Sequence, residues 1–213
     1  MEPADGAVLG RAPASISALL ERYPIASPPR STAGAAVMIL LRDGAREVET
    51  LLIERTERNE DPASGQVAFP GGHVDLSDDS LLATVLRETE EEVGIGLEDL
   101  VGPPHYVGRH HASRFALDVG VFAAELGERS HHPRPRSLEE VAHVFWFPRS
   151  ALGRTARVPR DTPAGPIEVN AAVYEGHVLW GFTRRLLREF FGHPAESAGP
   201  PAEAPPPRPD AIS

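Results

Sequence analysis

Four glutamates lie in the C-terminal half of a helix that the apolar periodicity predicts from about Asp79 to Val93. The four are Glu88, Glu90, Glu91 and Glu92. Positions three and four apart on a helix are neighbours, so Glu88 meets both Glu91 and Glu92. Each such pair of like charges destabilises the helix by roughly a few tenths of a kcal/mol, and the helix dipole also disfavours anions at this end. A sequence that accepts this conflict usually gains function from it.

Binding of a hard divalent cation would resolve the conflict. Carboxylates one turn apart converge on a point where Mg²⁺ or Mn²⁺ can sit, with water and substrate phosphate oxygens as the remaining ligands. A solvated acidic face is the ordinary meaning of a charge run, and the glutamates alone do not decide between the two. The upstream segment Pro70-Gly71-Gly72 favours the metal site, because its glycines let the backbone turn sharply and bring a main-chain carbonyl toward the helix.

Short strands and two further helices are predicted around these groups. Apolar runs of strand length lie at Ala35–Leu41, Glu49–Ile53, Gln66–Phe69, Tyr106–Arg109, Leu117–Glu125, Ala142–Phe147 and Pro166–Val173. The additional helices are predicted at Ser15–Tyr23 and Leu179–Phe191. Strands that mostly follow one another, with helices inserted at a few places, indicate an α/β fold of mixed layers rather than a repeating βαβ array.

The acidic helix has a predicted start, end and buried face. Asp79 or Ser80 is expected to cap its first turn, and Gly94 is expected to end it. The spacing of its apolar side chains predicts a single buried face, made of Leu82, Val85, Leu86, Thr89 and Val93.

Composition excludes several classes of protein. The net charge of −10 argues against a protein that coats nucleic acid or an anionic membrane, since both need a basic surface. The chain has no cysteine, which excludes a disulfide framework, a thiolate zinc site and a cysteine nucleophile. All 21 basic residues are arginine, which excludes Schiff-base chemistry and a P-loop.

No membrane span or secretory signal is predicted. The longest apolar stretch, Ala33–Leu41, is far shorter than the roughly 20 residues that a spanning helix needs. The first residues lack a basic region followed by an apolar core. We therefore expect a cytoplasmic location.

The acidic helix and the glycines before it resemble the Nudix box, Gly-x5-Glu-x7-Arg-Glu-(apolar)-x-Glu-Glu-x-Gly-(apolar). The matching residues are Gly72, Arg87, Glu88, Glu91, Glu92, Gly94 and Ile95. Asp78 stands at the first Glu position, one extra residue separates it from Arg87, and Thr89 replaces the usual aliphatic residue. The resemblance implies an α/β (α+β) fold, a Nudix-like α/β/α sandwich with a mixed β-sheet.

Neighbouring segments look like the coenzyme A pyrophosphatase subgroup of that family. They are Leu51-Leu52-Ile53-Glu54-Arg55-Thr56, Gly65-Gln66-Val67-Ala68-Phe69-Pro70-Gly71-Gly72, Phe145-Trp146-Phe147-Pro148 and Leu179-Trp180-Gly181-Phe182-Thr183. This resemblance implies hydrolysis of coenzyme A or acyl-coenzyme A. The implied products are 4′-phosphopantetheine, or its acyl form, and adenosine 3′,5′-bisphosphate.

The resemblance also implies roles for single residues. The expected ligands of Mg²⁺ or Mn²⁺ are Glu88, Glu91, Glu92 and Gly72, the last through its carbonyl. Arg87 would orient the carboxylates, a role in the shell around the metal. Glu91 is one candidate for the general base, and Glu139 or Glu140 from a later loop is another. The residues expected to contact substrate phosphate are Arg55 and Gln66.

The chain divides into three expected parts. Residues 1–32 form an N-terminal extension with a short helix, and residues 33–192 form the Nudix hydrolase domain. Residues 193–213 form a tail in which proline is frequent and large apolar residues are almost absent, so we expect it to be disordered.

Two alternative functions stay open. The subgroup's Leu-Arg-x-His element is not reproduced after Arg55, which leaves ADP-ribose, NADH or another dinucleotide as alternative substrates. A Nudix-like module that binds a nucleotide without cleaving it is the alternative of another class. The intact Glu88, Glu91 and Glu92 weigh against it, because a retired site has no reason to tolerate their repulsion. The expected partner is a small-molecule nucleoside diphosphate derivative, with no nucleic acid or membrane, and homodimerisation stays open.

Overall fold

A computed structural model describes residues 15–57, 65–130, 132–160 and 165–193. The strands are β1 (Ala35–Asp43), β2 (Val48–Arg55), β3 (Val67–Ala68), β4 (Gly71–His73), β5 (His105–Ala112), β6 (Leu117–Glu125), β7 (Val141–Pro148), β8 (Thr155–Arg160), β9 (Ile167–Tyr174) and β10 (His177–Leu179). The α-helices are α1 (Ile16–Leu20), α2 (Leu81–Val93) and α3 (Gly181–Phe190). Short 3₁₀ helices lie at Arg30–Thr32, Leu97–Asp99, Ser113–Phe115, Glu128–Ser130 and Arg149–Gly153. The predicted Pro-rich tail lies outside the described residues from residue 194 onward, as does the start of the N-terminal extension.

Strand β1 lies inside a seven-stranded mixed sheet. It pairs with β6 in parallel, and it pairs antiparallel with β2 at one end and with β4 at the other. β2 continues the sheet through antiparallel pairs with β3 and β7, and β6 continues it through β5. A second sheet holds β8, β9 and β10 in antiparallel order. Because β4 pairs with β1, the turn at Gly71 and Gly72 lies next to α2.

Both faces of the large sheet are covered by helices. The apolar run in β1 has no polar alternation, as expected for a strand buried on both sides. Met38 and Leu40 pack beneath α2, while Ile39 and Leu41 face the opposite core. That second core contains the apolar side chains of α1 and α3. The predicted α/β/α sandwich with a mixed sheet is thus confirmed, and α1 of the expected extension belongs to the same core. No helix in the described ranges is long and apolar enough to cross a membrane.

The acidic helix α2 begins and ends at the predicted caps but is rotated relative to the predicted face. The Ser80 hydroxyl accepts a hydrogen bond from the Ala83 amide, and Gly94 ends the helix with φ of 70°. The buried residues are Leu81, Thr84, Val85, Thr89, Glu92 and Val93, while Leu82 and Leu86 are half-buried. Leu81 packs so closely on β6 that a Cβ at Gly120 would lie 2.7 Å from it. This rotation turns Glu92 toward the core.

Three strands escaped prediction, and one boundary was wrong. β4 has no apolar pattern, because Gly71 and Gly72 pair with β1 through the backbone alone. β8 is mostly exposed, and β10 has three residues. Leu179 was predicted in the last helix, but it ends β10, and α3 begins at Gly181.

A buried aspartate ties the loop before α2 to the helix. Asp78 is 5% exposed, and its carboxylate accepts hydrogen bonds from Nε and Nη2 of Arg87, each at 3.0 Å. The Asp75 amide and the Thr84 hydroxyl donate to Oδ2 of the same carboxylate, at 2.8 and 2.9 Å. The Arg87 bonds hold the pKa of Asp78 well below its usual range, aided by the other two donors. The contact between Asp78 and Arg87 thus bridges the segment that is one residue longer than the box pattern.

We expect Asp78→Asn to lower the free energy of unfolding at pH 7 by about 1–3 kcal/mol, because it removes the buried carboxylate that accepts from Nε and Nη2 of Arg87. The matched control is Asp79→Asn, since Asp79 is exposed; its effect should stay within about 0.5 kcal/mol. The pKa of Asp78 is lower in the folded chain than in the unfolded one. The stabilisation is therefore complete above the ordinary aspartate pKa of about 3.9 and is lost as the pH falls below it. Urea unfolding across pH measures both effects, and a difference between wild type and Asp78→Asn that does not change with pH would contradict this role.

Candidate active site

Two glutamates of α2 meet the glycine turn, Pro70-Gly71-Gly72, which leads from β3 into β4. Glu92 is 2% exposed, and its Oε2 accepts a hydrogen bond of 2.8 Å from the Gly71 amide. The Glu88 carboxylate lies against Gly72, where an added Cβ would be 2.5 Å from its Cδ. Gly71 has φ of 139°, and a Cβ there would lie 2.2 Å from the Ala36 carbonyl oxygen. Gly71 therefore requires glycine because of the nearby backbone, while a side chain at Gly72 would displace the Glu88 carboxylate.

Burial disfavours the ionised form of these two carboxylates. Burial raises the pKa of Glu92 to about 8, against the opposing effects of the Gly71 amide and of Arg55. Arg55 Nη1 lies 4.0 Å from Glu92 Oε1. Burial also raises the pKa of Glu88, although Arg87 acts in the opposite direction. The negative charge of Glu140 raises the pKa of both glutamates. A cation bound between these carboxylates would reverse this balance.

Arg87 connects the glutamates of the helix to the turn. Its Nη1 donates to Glu88 Oε1 at 2.9 Å and to Glu91 Oε2 at 3.3 Å. Its Nη2 donates to the His73 carbonyl at 3.2 Å. Glu91, with its side chain 57% exposed, is therefore directed to Arg87 rather than to the Gly71 amide that Glu92 contacts. The orienting role predicted for Arg87 agrees with these contacts and stays a prediction.

The other predicted site residues gather at the end of β2. The Arg55 amide donates to the Gln66 carbonyl at 3.0 Å, and the Thr56 amide donates to the Glu140 carbonyl at 3.0 Å. The loop that carries Glu140 is thereby held beside Arg55 and close enough to influence Glu88 and Glu92. Glu139 is exposed on the same loop. The structure thus brings together residues that lie more than 80 positions apart in the sequence.

Arg136 is a site residue that sequence analysis missed. Its amide donates to the Glu92 carbonyl at 2.9 Å, and its Nη1 donates to the Glu90 carbonyl at 3.4 Å. The same Nη1 lies 3.7 Å from the Glu90 carboxylate. Gly94 leaves room for this side chain, because a Cβ there would lie 2.8 Å from Arg136 Cδ. A cation near the helix C-terminus is favourable, and the absence of one in the last turn of α2 was the signal that another segment supplies it.

The donor types at this site suit a hard divalent ion. Carboxylate oxygens and a main-chain carbonyl are the protein ligands that Mg²⁺ and Mn²⁺ prefer. Glu92 contacts the glycine turn at Gly71, and Glu88 contacts it at Gly72. One ion beside this turn would therefore be within reach of both carboxylates. Within the described ranges no three acidic or histidine side chains are grouped closely enough to hold an ion by themselves. Water and substrate oxygens would therefore supply further ligands.

The sequence matches the NUDIX domain family over residues 32–166. It is 38% identical over 160 residues to a Citrobacter koseri protein named "Uncharacterized Nudix hydrolase NudL", which covers 73% of this chain and 79% of that protein. A Cronobacter sakazakii protein of the same name is 31% identical over 188 residues, covering 83% of this chain and 93% of the relative. The fold is similar to the crystal structure of a NUDIX hydrolase from Alicyclobacillus acidocaldarius, with a TM-score of 0.50 and 19% identity over 74% of this chain and 90% of that one.

The matched range contains the glycine turn, α2 and the loop of Glu140, so the family and the geometry identify the same part of the molecule. The chain therefore belongs to the Nudix family and is a Nudix hydrolase, a pyrophosphohydrolase that acts on phosphorus-containing acid anhydrides of nucleoside diphosphate derivatives.

Proposed function

We propose that this Nudix hydrolase cleaves the diphosphate of coenzyme A or acyl-coenzyme A. The products would be 4′-phosphopantetheine, or its acyl form, and adenosine 3′,5′-bisphosphate. The observation that carries the proposal is the position of the segment from Gly65 to Gly72, which is similar to the coenzyme A pyrophosphatase subgroup. This segment holds Gln66 beside Arg55 and ends in the turn that contacts Glu88 and Glu92.

The negative charge of the substrate determines what the site must provide. Nudix hydrolases generally use divalent metal ions such as Mg²⁺ or Mn²⁺. In this chain Glu88, Glu92, Glu91 and the Gly72 carbonyl would hold the ion, which neutralises the diphosphate charge when bound. Arg87 holds Glu88 and Glu91 from the side of the loop, so their oxygens keep a defined direction.

Water attack at phosphorus needs a proton acceptor. The water oxygen forms a bond to one phosphorus, the bridging P–O bond breaks, and the second phosphate leaves. We assign the acceptor to Glu140. Its negative charge raises the pKa of both Glu88 and Glu92, and its loop is hydrogen-bonded to β2. Glu91 is the other candidate, and its exposed carboxylate accepts a hydrogen bond from Arg87.

Phosphate contacts are proposed for Arg55 and Gln66. Arg55 extends from β2 toward Glu92, and a guanidinium suits the planar, bidentate recognition of phosphate oxygens. The partner is thus a small anionic nucleotide derivative. A cytoplasmic location stays an expectation from the sequence, and homodimerisation stays open.

We expect Glu92→Gln to keep the fold and to lower turnover by at least about 100-fold, because it removes a charge that holds the ion. The matched control is Glu90→Gln on the same helix, since Glu90 is exposed and pairs with Arg136 instead. Its turnover should stay within about twofold of wild type. Steady-state rates at saturating Mg²⁺ test the pair, with circular dichroism to verify folding. Wild-type turnover in Glu92→Gln would refute the metal assignment.

Glu140→Gln and Glu91→Gln separate the two candidate bases. We expect Glu140→Gln to lower turnover by about 100-fold, because general-base catalysis contributes roughly 10²–10⁴-fold, while Mn²⁺ binding stays close to wild type. Glu91→Gln should weaken Mn²⁺ binding, because it removes a ligand. Turnover and calorimetric titration with Mn²⁺ give the two readouts. The opposite pattern, with intact ion binding in Glu91→Gln and full activity in Glu140→Gln, would assign the base to Glu91.

A substrate panel tests the choice of coenzyme A. Purified protein with Mg²⁺ or Mn²⁺ would be compared on coenzyme A, acetyl-coenzyme A, ADP-ribose, NADH and dinucleoside polyphosphates. We expect the highest kcat/KM for coenzyme A or its acetyl form, with 4′-phosphopantetheine detected by mass spectrometry. A higher kcat/KM for ADP-ribose or a dinucleotide would overturn the assignment and leave the hydrolase chemistry in place. Uniform inactivity would favour a binding module.

A further inference from the structure

We propose that the segment before β1 positions the catalytic machinery and that Arg30 is a positioning residue for the hydrolase reaction. The segment, here called the N-terminal strap, consists of Pro28, Pro29 and Arg30. It lies in the predicted extension, outside the residues that resemble the Nudix box. The inference rests on the proposed role of Glu88 and Glu91 but not on the identity of the substrate.

The strap is bonded to the start of α2. The Leu81 amide donates to the Pro28 carbonyl at 3.0 Å, and Pro29 forms an isolated antiparallel bridge with Ser80. The first amides of a helix lack partners within the helix, so Pro28 satisfies one of them while the Ser80 hydroxyl satisfies the Ala83 amide. Two consecutive prolines have fixed φ angles, which limits the ways in which the strap can move.

Arg30 extends the contact to the loop that precedes the helix. Its Nη1 donates to the carbonyl of Leu76 and to that of Asp78, the latter at 3.3 Å. These carbonyls belong to the loop between β4 and α2. A loop without regular structure has many conformations, and a guanidinium that binds two of its carbonyls excludes many of them.

A chain of contacts runs from Arg30 to the glutamates. Arg30 binds the backbone carbonyl of Asp78, and the carboxylate of Asp78 binds Arg87. Arg87 in turn donates to Glu88 and Glu91. Arg30 is itself exposed and touches neither glutamate, so its effect on the reaction must pass through Asp78 and Arg87. A small displacement of a positioned group can lower a rate strongly, which makes this chain relevant to turnover.

The test compares Arg30→Ala, Arg30→Lys and the control Arg46→Ala in the full-length protein. Arg46 is an exposed arginine in the turn after β1. We expect Arg30→Ala to lower kcat by about tenfold with KM within about twofold, because the substrate contacts stay in place while the carboxylates lose their direction. Arg30→Lys should recover part of the rate, since an ammonium can still donate to a carbonyl. Arg46→Ala should match wild type.

Two readouts do not depend on turnover. In the metal-free protein, hydrogen exchange at the Leu81 amide should become about tenfold faster in Arg30→Ala and stay unchanged in Arg46→Ala. Calorimetry should show weaker Mn²⁺ binding in Arg30→Ala. Unchanged exchange, or unchanged kcat alongside faster exchange, would overturn the proposal. A loss of rate that disappears once the unfolded fraction is subtracted would also overturn it, since Arg30 would then be merely structural.

The rates are measured on whichever substrate of the panel the wild type cleaves best. Failure of the coenzyme A assignment therefore leaves the test of Arg30 intact. If the wild type cleaves none of them, the proposed function fails, and exchange at Leu81 together with Mn²⁺ binding still decides whether the strap positions the site.

Discussion

The structure depends on a carboxylate that is buried where a helix meets a turn. Glu92 has almost no contact with solvent, and its Oε2 accepts a hydrogen bond from the backbone amide of Gly71. This contact joins α2 to β4, which pairs with the central strand β1. A buried carboxylate with a raised pKa is unfavourable for stability by itself. A divalent cation bound beside Glu92 would offset the unfavourable burial of its carboxylate.

Arginines from different parts of the chain resolve the repulsion among the glutamates. Arg87 lies within α2 and shares its guanidinium among Asp78, Glu88 and Glu91. Arg136 comes from the connection between β6 and β7 and binds the carbonyl end of the helix. The charge conflict that is visible in the sequence is therefore reduced at both ends of the acidic run.

The site is assembled on backbone contacts as much as on side chains. Gly71 and Gly72 allow the turn to approach β1 and the Glu88 carboxylate, and the Thr56 amide holds the loop of Glu140. Such contacts fix a geometry with little dependence on the rotamers of long side chains. They also explain why a short, glycine-rich strand such as β4 has a larger effect on the site than its three residues suggest.

Local spacing by itself determined the strands β1, β2 and β6, the limits of α2 and the residue types that could bind a metal. These features follow from periodicity and from glycine, serine and proline at element ends, which act over a few residues. The rotation of α2, the pairing of β4 and the contacts of Arg136 and Arg30 were decided only by the tertiary structure, because they join segments that are distant in the sequence. Glu91 and Glu92 show the difference most clearly. They are adjacent and chemically identical, yet one side chain is 57% exposed and the other 2%, since only the packing of the helix against the sheet decides which of the two is buried.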